Sequence, residues 1–404
     1  MARKSYFPFV GLLALVAILL LPARVAAQEL SGSVTAETRA FPSAPLVGEQ
    51  HNSTGSVVLE PEWYADWDRG NQSITFTPFL RLDLGDQART HFDIRELYWQ
   101  KAARSWELKV GIAKVFWGVT EAQHLVDIIN QTDLVEQPDG EEKLGQPMVN
   151  FTWIKNWGVV DVFALPWFRE RTFPGRQGRL RGPLPVDVDQ AEIDRRIDLA
   201  ARWSHTLGDF DVGVAHFYGT SREPRLTPGL DGSNRPVLIP HYDVIHQTSL
   251  DVQYTTGAWL WKLETITRSG QDDRFFALAG GFEYTFSNVR NTGLDLGLLI
   301  EYLYDGRDKV DFGGLRLSPV PFEDDVFFGA RLAFNDVQST DVLGGMIVDR
   351  DTGASAVRLE ASRRLRDQWT MDLEFGGFLN TSADDQLYGL RKDSYLQLGL
   401  SYHF

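Results

Sequence analysis

The stretch SITFTPFLRLDL, from Ser73 to Leu84, alternates between apolar and polar side chains at nearly every position. Successive side chains of a β-strand point to opposite faces, so a period of two predicts a strand with one apolar and one polar face. The apolar face carries Ile74, Phe76, Pro78, Leu80, Leu82 and Leu84, and the polar face carries Thr75, Thr77, Arg81 and Asp83.

The same alternation recurs along most of the chain. We count about eighteen such segments, and many reach the roughly 9 to 11 residues that a tilted strand needs to cross a bilayer. Their approximate bounds are 30–41, 54–66, 72–84, 90–101, 105–117, 147–156, 158–168, 195–206, 210–220, 243–255, 258–268, 274–287, 293–305, 324–335, 340–349, 355–365, 368–379 and 393–404.

The connections between these segments alternate between short and long. If both chain ends lie on one side, the short turns fall on that side and the long connections on the other, which is the habit of outer-membrane barrels. The long connections are 118–146, 169–194, 221–242, 306–323 and 380–392. We therefore predict an all-β fold, a transmembrane antiparallel barrel of about 18 strands (16–18), with short periplasmic turns and long extracellular loops. A soluble sandwich or propeller is the alternative, but no repeat of propeller length is present.

The first residues resemble a secretory signal. Arg3 and Lys4 precede an apolar run over 9–21, and the small residues Val25 and Ala27 predict cleavage before Gln28. The run is too short for a spanning helix, and no other segment approaches 18 apolar residues, so a helical membrane protein is excluded. We predict a signal peptide over 1–27 and one barrel domain over 28–404.

The polar faces of the strands predict a wet lumen. A barrel of about 18 strands is too wide to be filled by its own side chains. We therefore expect passive diffusion or export of polar or charged small solutes, with selectivity set by lumen charges and a slight preference for cations. The candidate pore-lining residues are Arg81, Asp83, Asp93, Arg95, Lys109, Arg202, Lys262, Glu264, Glu283, Glu301, Arg331, Arg358, Glu360, Asp372 and Glu374.

Aromatic side chains cluster near the ends of the predicted strands. Membrane barrels carry such girdles at both lipid–water interfaces. The candidates are Trp63, Trp99, Trp106, Trp117, Trp153, Trp167, Trp259, Tyr284, Phe286, Trp369, Tyr402 and Phe404.

The long connection 119–146 is the candidate constriction loop. Its apolar residues include Leu125, Val126, Ile128, Ile129 and Leu134, and a short helix is expected to begin at Thr120. A loop with an apolar side can pack against the barrel wall and narrow the pore; the alternative is an exposed acidic loop with a small core of its own. Its candidate constriction residues are Glu121, Asp127, Asn130, Asp133 and Glu136.

The segments 111–118 (GIAKVFWG) and 127–134 (DIINQTDL) resemble a family of proteobacterial outer-membrane porin-like barrels of unknown function, distantly similar to alginate-export channels. In that family a strand ending in Trp-Gly leads into a loop with an Asp and then Asn-Pro-x-Asp; here Gln131 stands at the Pro position. The resemblance covers 90–170 and implies an outer-membrane pore, but no substrate.

A second long connection is rich in arginine. The segment 169–181, RERTFPGRQGRLR, carries five Arg and one Glu. Three interpretations remain open: pairing with the acidic loop, contact with lipopolysaccharide phosphates, or attraction of an anionic substrate.

Other function classes find little support in the sequence. A net charge of −15 excludes a nucleic-acid partner. The eight His are scattered, and no metal-ligand spacing or Gly-x-Ser-x-Gly elbow occurs, so we expect no enzyme and no cofactor. A surface receptor or adhesin is the alternative, and an outer-membrane hydrolase is less favoured. The oligomeric state stays open.

The chain ends on LQLGLSYHF, which alternates up to its last residue, Phe404. A barrel must pair its last strand with its first to remove the final edge, so we expect 393–404 to pair with 30–41. A terminal Phe also resembles the signal that bacterial barrel-assembly machinery reads, which makes that machinery a partner beside outer-membrane lipid and lipopolysaccharide.

Overall fold

One antiparallel sheet of 18 strands closes on itself to form the barrel. The structure is a computed structural model and describes residues 27–312, 315–317 and 320–404. Its barrel strands are β1 Ala27–Ala40, β2 Ser53–Trp67, β3 Gln72–Asp83, β4 His91–Ala103, β5 Trp106–Ala113, β6 Gln146–Lys155, β7 Gly158–Leu165, β8 Asp198–Leu207, β9 Phe210–Thr220, β10 Val244–Thr256, β11 Trp259–Ser269, β12 Phe275–Phe286, β13 Asp295–Asp305, β14 Asp324–Ala333, β15 Asp341–Asp349, β16 Ser355–Arg366, β17 Trp369–Leu379 and β18 Tyr395–His403.

The first and last strands close the sheet. Ala36 lies opposite Leu400 in the antiparallel register of β1 and β18. Beyond the last strand, Phe404 and Gly32 exchange two backbone hydrogen bonds of 3.1 Å. Gly32 has a φ of 153°, and a Cβ there would lie 2.6 Å from the Cα of Pro61 on β2, so the close approach of the chains at the seam requires glycine. Each barrel strand has two neighbours, which removes the edge that an open sheet would present.

The predicted fold class is confirmed, with the strand number at the upper end of the expected range. The bounds agree closely, with one instructive exception: the strand predicted over 105–117 ends at Ala113, because the chain then turns into the barrel. Alternation also missed the short elements in the connections. These are the strands Glu192–Ile193, Arg225–Leu230, Pro236–Tyr242, Val310–Phe312 and Leu315–Leu317, and the 3₁₀-helices Gln87–Arg89, Val188–Gln190, Val289–Asn291 and Gln386–Leu390.

The two ends of the barrel differ in the length of their connections. Both ends of the described barrel lie with the short turns, such as 104–105, 156–157 and 208–209. The long connections 114–145, 166–197 and 221–243 lie at the opposite end. By the habit of outer-membrane barrels, we assign the first end to the periplasm and the second to the cell exterior.

The outer wall of the barrel is apolar. In β1, Leu30 is 64% exposed, and in β18, Leu396, Leu398 and Leu400 are exposed while the residues between them face inward. An exposed apolar surface that surrounds a closed barrel fits the hydrocarbon of a bilayer, in which backbone groups must be paired within the sheet. Among the described residues, no helix is long and apolar enough to cross a membrane.

Aromatic side chains ring the periplasmic end of this wall. Trp259 contacts Trp261, Phe282 and Tyr284, and Tyr284 contacts Phe286 in turn. The sequence placed Trp117 in such a girdle, and this is wrong: Trp117 is 5% exposed and packs against Phe163 inside the barrel. It follows the end of β5, so alternation no longer applies to it. The predicted signal peptide lies outside the described residues except for Ala27, the first residue of β1.

Candidate functional site

The inward faces of the strands carry the charges. The register places every predicted pore-lining residue except Arg95 on the face opposite to the exposed apolar side chains; Glu264, for example, lies level with Asp251 and Ala279. Arg95 lies at an irregularity of the β3–β4 pairing, and its guanidinium reaches Asp133 inside the barrel. The predicted set is Arg81, Asp83, Asp93, Arg95, Lys109, Arg202, Lys262, Glu264, Glu283, Glu301, Arg331, Arg358, Glu360, Asp372 and Glu374.

The connection between β5 and β6, residues 114–145, lies inside the barrel; we call it the lumenal loop. Its side chains and backbone contact inward-facing residues all around the wall. These wall residues include Arg39, Arg81, Arg95, Gln247, Glu264, Glu301, Arg331, Arg358 and Glu374. A single segment that reaches both halves of the wall narrows the lumen.

An apolar cluster holds one side of the lumenal loop against the wall. Leu125, Val126, Ile128 and Ile129 are all at most 8% exposed. Full burial of such a side chain contributes roughly 1.5–3 kcal/mol, so the cluster is a main source of stability for the loop. Its wall members are Met148, Phe163, Leu165, Ala200, Ala215, Phe217, Ile245, Ile266, Phe275, Ala277, Ala279 and Leu303.

Two buried wall carboxylates accept hydrogen bonds from the loop backbone. Glu264 Oε1 accepts from the amides of Val119 at 2.6 Å and Thr120 at 3.0 Å, and its Oε2 accepts from Val126 at 3.1 Å. Glu301 accepts from the amides of Glu121 and Ala122. The helix expected to begin at Thr120 is absent from the described chain: residues 119–130 form bends and turns, and the wall carboxylates accept from several of their amides.

A charged cluster holds Glu136 at another point of the wall. Arg81 donates to both carboxylate oxygens of Glu136, with a shortest distance of 2.5 Å, and also pairs with Glu37 at 3.1 Å. Arg89 bonds to Glu37 at 2.8 Å and to Asp83 at 3.1 Å. The attraction between these charges offsets the free energy lost when they leave water. Removal of one partner would therefore leave an uncompensated buried charge.

Asp133 lies in a third anchoring cluster. Arg95 bonds to Asp133 at 2.7 Å and to Asp93 at 3.1 Å, and Asp93 also accepts from Arg169 at 2.7 Å. The Thr172 hydroxyl donates to Asp133 as well. The lumenal loop and the following long connection are therefore fastened to β4 together.

The two other predicted constriction residues hold the lumenal loop to itself. The Asn130 amide donates to the carbonyls of Ala113 and Leu144, and its oxygen accepts from the Val115 amide. Asp127 pairs with Lys143 at 3.2 Å. Both residues lock the stems of the loop and do not face the open lumen, since each is at most 9% exposed.

His124 is a charged contact between the lumenal loop and the wall. Its Nε2 lies 3.3 Å from Glu141, and its Nδ1 lies 3.9 Å from Glu264. Burial alone would lower the pKa of His124, but its interactions with Glu141 and Glu264 outweigh burial and raise that pKa to about 10. His124 is therefore a cation at neutral pH.

A cavity of about 510 Å³ lies between the lumenal loop and the wall formed by β14–β18 and β1. Its charged lining contains five acids and two arginines: Glu37, Asp341, Glu360, Asp372, Glu374, Arg331 and Arg358. The loop neutralises both arginines, because Glu121 pairs with Arg331 at 2.8 Å and Asp139 pairs with Arg358. The cavity thus carries an excess of negative charge.

Ten of the fifteen predicted pore-lining residues lie outside the lining of this cavity. Six of them belong to the anchoring contacts described above, and the other four are Lys109, Arg202, Lys262 and Glu283. The Lys109 ammonium lies 4.6 Å from the centre of the Tyr98 ring. Arg202 pairs with Asp251 at 2.6 Å, and Lys262 lies 3.8 Å from Glu283. They belong to other parts of the inward face.

Most arginines of the segment 169–181 bond to acceptors within the protein. Arg176 pairs with Asp231 and Arg179 with Asp393, both at 2.7 Å, while Arg181 donates to backbone carbonyls. Within the described ranges, the segment forms no ion pair with a carboxylate of the lumenal loop. It contacts that loop through Thr172, through Arg171, which donates to Gln131, and through Arg169, which donates to the Gly145 carbonyl. Pairing with the acidic loop, as charge pairs, was therefore wrong.

Several residues of the site escaped sequence analysis. Glu37 and Arg39 lie on the inward face of β1, where the period of two would have revealed them. Arg222 had no such signal: it follows β9, yet its guanidinium donates to the Ile129 carbonyl at 3.0 Å and to Asp198 at 3.0 Å. In the lumenal loop, Asp139 pairs with Arg358 and the Gln137 amide donates to Glu374. Only the fold brings these partners together.

In the described chain, no cluster of three or more His, Cys, Asp or Glu is arranged to hold a metal ion. No family model and no curated protein matches the sequence.

Solved structures of outer-membrane barrels resemble the fold over nearly the whole chain. OccK3 (OpdO) of Pseudomonas aeruginosa has a TM-score of 0.56 and 11% identity, covering 96% of this chain and 98% of its own. OccK5 (OpdH) of the same organism has a TM-score of 0.55 and 11% identity, covering 94% and 99%. Wzi, an outer-membrane carbohydrate-binding β-barrel involved in group 1 capsule assembly in Escherichia coli, has a TM-score of 0.52 and 9% identity, covering 100% and 90%. At these identities the likeness shows the fold, and the fold is that of an outer-membrane porin.

Proposed function

We propose that the protein is a channel of the bacterial outer membrane for passive diffusion of polar or charged small solutes. The observation that supports this most directly is the charged cavity beside the lumenal loop, within a closed barrel with an apolar outer wall. A volume of about 510 Å³ accommodates many waters, since a water occupies roughly 30 Å³ in the liquid. The lumenal loop would act as the constriction.

The charge of the cavity supports a preference for cations. Both arginines of the lining are paired with loop acids, and Arg358 also pairs with Glu360 and Glu374 on the wall. Five carboxylates of the lining therefore face two arginines that loop acids already share. A narrow, partly dehydrated passage strengthens such fields relative to bulk water. The same excess of carboxylates opposes the passage of anionic solutes.

The receptor, adhesin and hydrolase alternatives gain no support from the solved structures that resemble the chain. Those structures are, by fold, porins and related barrels.

Planar-bilayer recording in a KCl gradient tests the proposal. We expect discrete channels whose reversal potential has the sign of cation preference. The double variant E360Q/D372N removes two carboxylates from the cavity and should move the reversal potential towards zero. The matched control is D161N, because Asp161 faces inward on β7, outside the cavity lining. Absence of any conductance in the wild type would refute the channel, and anion preference would refute the assigned selectivity.

A further inference from the structure

The outer wall of β9–β11 departs from the apolar belt. His216, Thr248 and Thr267 lie side by side in the register of these three strands and face away from the lumen. His216 and Thr248 share a hydrogen bond of 2.9 Å. Burial of polar groups against lipid costs free energy unless they contact another polar group. The outer wall of β9–β11 is therefore less suited to hydrocarbon than the apolar wall described above.

Closer to the outer ends of the strands, three side chains form a stack. The Arg196 guanidinium lies 4.2 Å from the Tyr218 ring centre, and the Tyr218 and His246 rings are stacked with centres 4.4 Å apart. The Nε of Arg196 is buried and has no hydrogen-bond partner in the described chain. The guanidinium of Arg196 therefore keeps hydrogen-bonding capacity that the described protein does not use.

A second arginine flanks this stack on the other side. Arg274 donates to the hydroxyls of Ser269 at 3.0 Å and Thr267 at 3.3 Å, which places it on the outward face of β11. Ser269 lies opposite His246 in the register, so Arg274 and Arg196 border the same patch.

A third arginine, Arg195, lies over the ring of Trp167 at 5.6 Å, and Trp167 is 56% exposed. Among the described residues, none of these three arginines forms an ion pair with a carboxylate, including the nearby Asp194, Asp272 and Asp273. The arginines of segment 169–181 differ, because most of them bond to acceptors within the protein, including the carboxylates that pair with Arg169, Arg176 and Arg179.

We propose that this patch, formed by Arg195, Arg196, Arg274, Tyr218 and His246, binds the phosphorylated sugar headgroup of an outer-leaflet glycolipid of the lipid A type. The patch lies at the exterior ends of the strands, where headgroups of the outer leaflet lie. Guanidinium groups bind phosphate oxygens through paired, charge-assisted hydrogen bonds. The Tyr218 hydroxyl, the His246 ring and the hydroxyls of β11 offer further hydrogen-bonding groups to the sugar.

A second copy of the chain is the competing occupant of this wall. A two-fold interface brings a patch against itself, so it would place these cations close to their own copies. Unpaired like charges oppose such contact, whereas an anionic lipid neutralises them. The observations therefore favour the glycolipid.

Native mass spectrometry of the purified barrel with bisphosphorylated lipid A tests the proposal. We expect bound lipid A in the wild type, and a loss of affinity of at least about tenfold in R195Q/R196Q/R274Q, because each charge-assisted bond contributes substantially. The matched control is R69Q/R104Q/R366Q, which removes three arginines from the periplasmic end of the barrel and should bind as the wild type does.

Two further measurements separate the source of any binding. Dephosphorylated lipid A should bind weakly to the wild type, and equal binding of the two lipids would overturn the assignment to phosphate. Equal lipid A binding by the triple variant and the wild type would overturn the site. An oligomer of the wild type that becomes monomeric in the triple variant, with lipid uptake unchanged, would assign the wall to a second copy instead.

Discussion

The Oε1 atom of Glu264 on the barrel wall lies 2.6 Å from the backbone nitrogen of Val119 in the lumenal loop. The same carboxylate is fully buried and accepts hydrogen bonds from two further backbone amides and from the Thr120 hydroxyl. A single wall residue therefore satisfies donors at both ends of the stretch 119–126. Without it, those amides would be buried and unpaired.

The substitution E264Q should loosen the lumenal loop. The amide retains one acceptor oxygen but turns an NH₂ group towards backbone donors, and each buried unpaired group costs about 1–3 kcal/mol. We expect noisier and larger single-channel currents, with heat-modifiable electrophoretic mobility that still reports a folded barrel. E283Q is the control, because Glu283 faces inward beside Lys262 at 3.8 Å and contacts no loop backbone in the described chain. Wild-type currents in E264Q would show that the apolar cluster alone seats the loop.

A double-mutant cycle on Asp139 and Arg358 tests whether the loop tip is held across the lumen. These residues pair between the lumenal loop and β16. Either single reversal, D139R or R358D, should raise the open-channel current, because like charges then repel at the edge of the cavity. The double reversal D139R/R358D restores opposite charges and should return the current towards that of the wild type. Strictly additive effects would mean that the pair does not position the loop.

The barrel could be predicted from the sequence because its signal is repeated in every strand. In β3 the apolar face from Ile74 to Leu82 can be recognised from the sequence of that strand alone. Every strand of the barrel faces lipid on one side and the aqueous lumen on the other, so the same alternation recurs in each. The inward placement of Glu264 follows from the same period. Its role does not, because the amides that it binds belong to a segment 138 to 145 residues away in sequence.

The limit of sequence reasoning is clearest where the period ends. Trp117 looked like a girdle residue, but β5 stops at Ala113 and the side chain turns into the lumenal cluster beside Phe163. Arg222 lies in a connection with no periodic pattern, and only the fold brings its guanidinium to the Ile129 carbonyl. Contacts of this kind depend on loop conformation, which composition and spacing do not encode.

Conductance should depend on the protonation of His124 at alkaline pH. The pKa of His124 is raised from its ordinary value to about 10 by Glu141 and Glu264. A raised pKa in the folded state means that the ion pairs contribute fully below the unfolded pKa of roughly 6.5, weaken above it and are lost as pH rises through about 10. We expect the loop to stay seated at neutral pH and to loosen between about pH 9 and 11.

The comparison with H124Q isolates this effect, because lysines and tyrosines elsewhere titrate in the same range. Single-channel current of the wild type should rise over that pH interval, while H124Q should already show the raised current at pH 7 and change less. A parallel pH response in both proteins would assign the transition to other groups.

The aromatic ring of Phe404 at the barrel seam should matter for assembly more than for transport. Its side chain is 43% exposed on the outer wall, while its backbone is bonded to Gly32 at the seam of the barrel. F404A retains those backbone bonds and removes only the aromatic ring, so the closed barrel stays possible. If the ring is read by the barrel-assembly machinery, F404A should lower the amount of assembled protein in the outer membrane several-fold. The channels that do assemble should keep wild-type conductance, because the side chain does not face the lumen.

F286A is the matched control, since Phe286 is 45% exposed at the same end of the barrel but is not terminal. Equal amounts of assembled F404A and F286A would show that Phe404 acts as a girdle residue and not as an assembly signal.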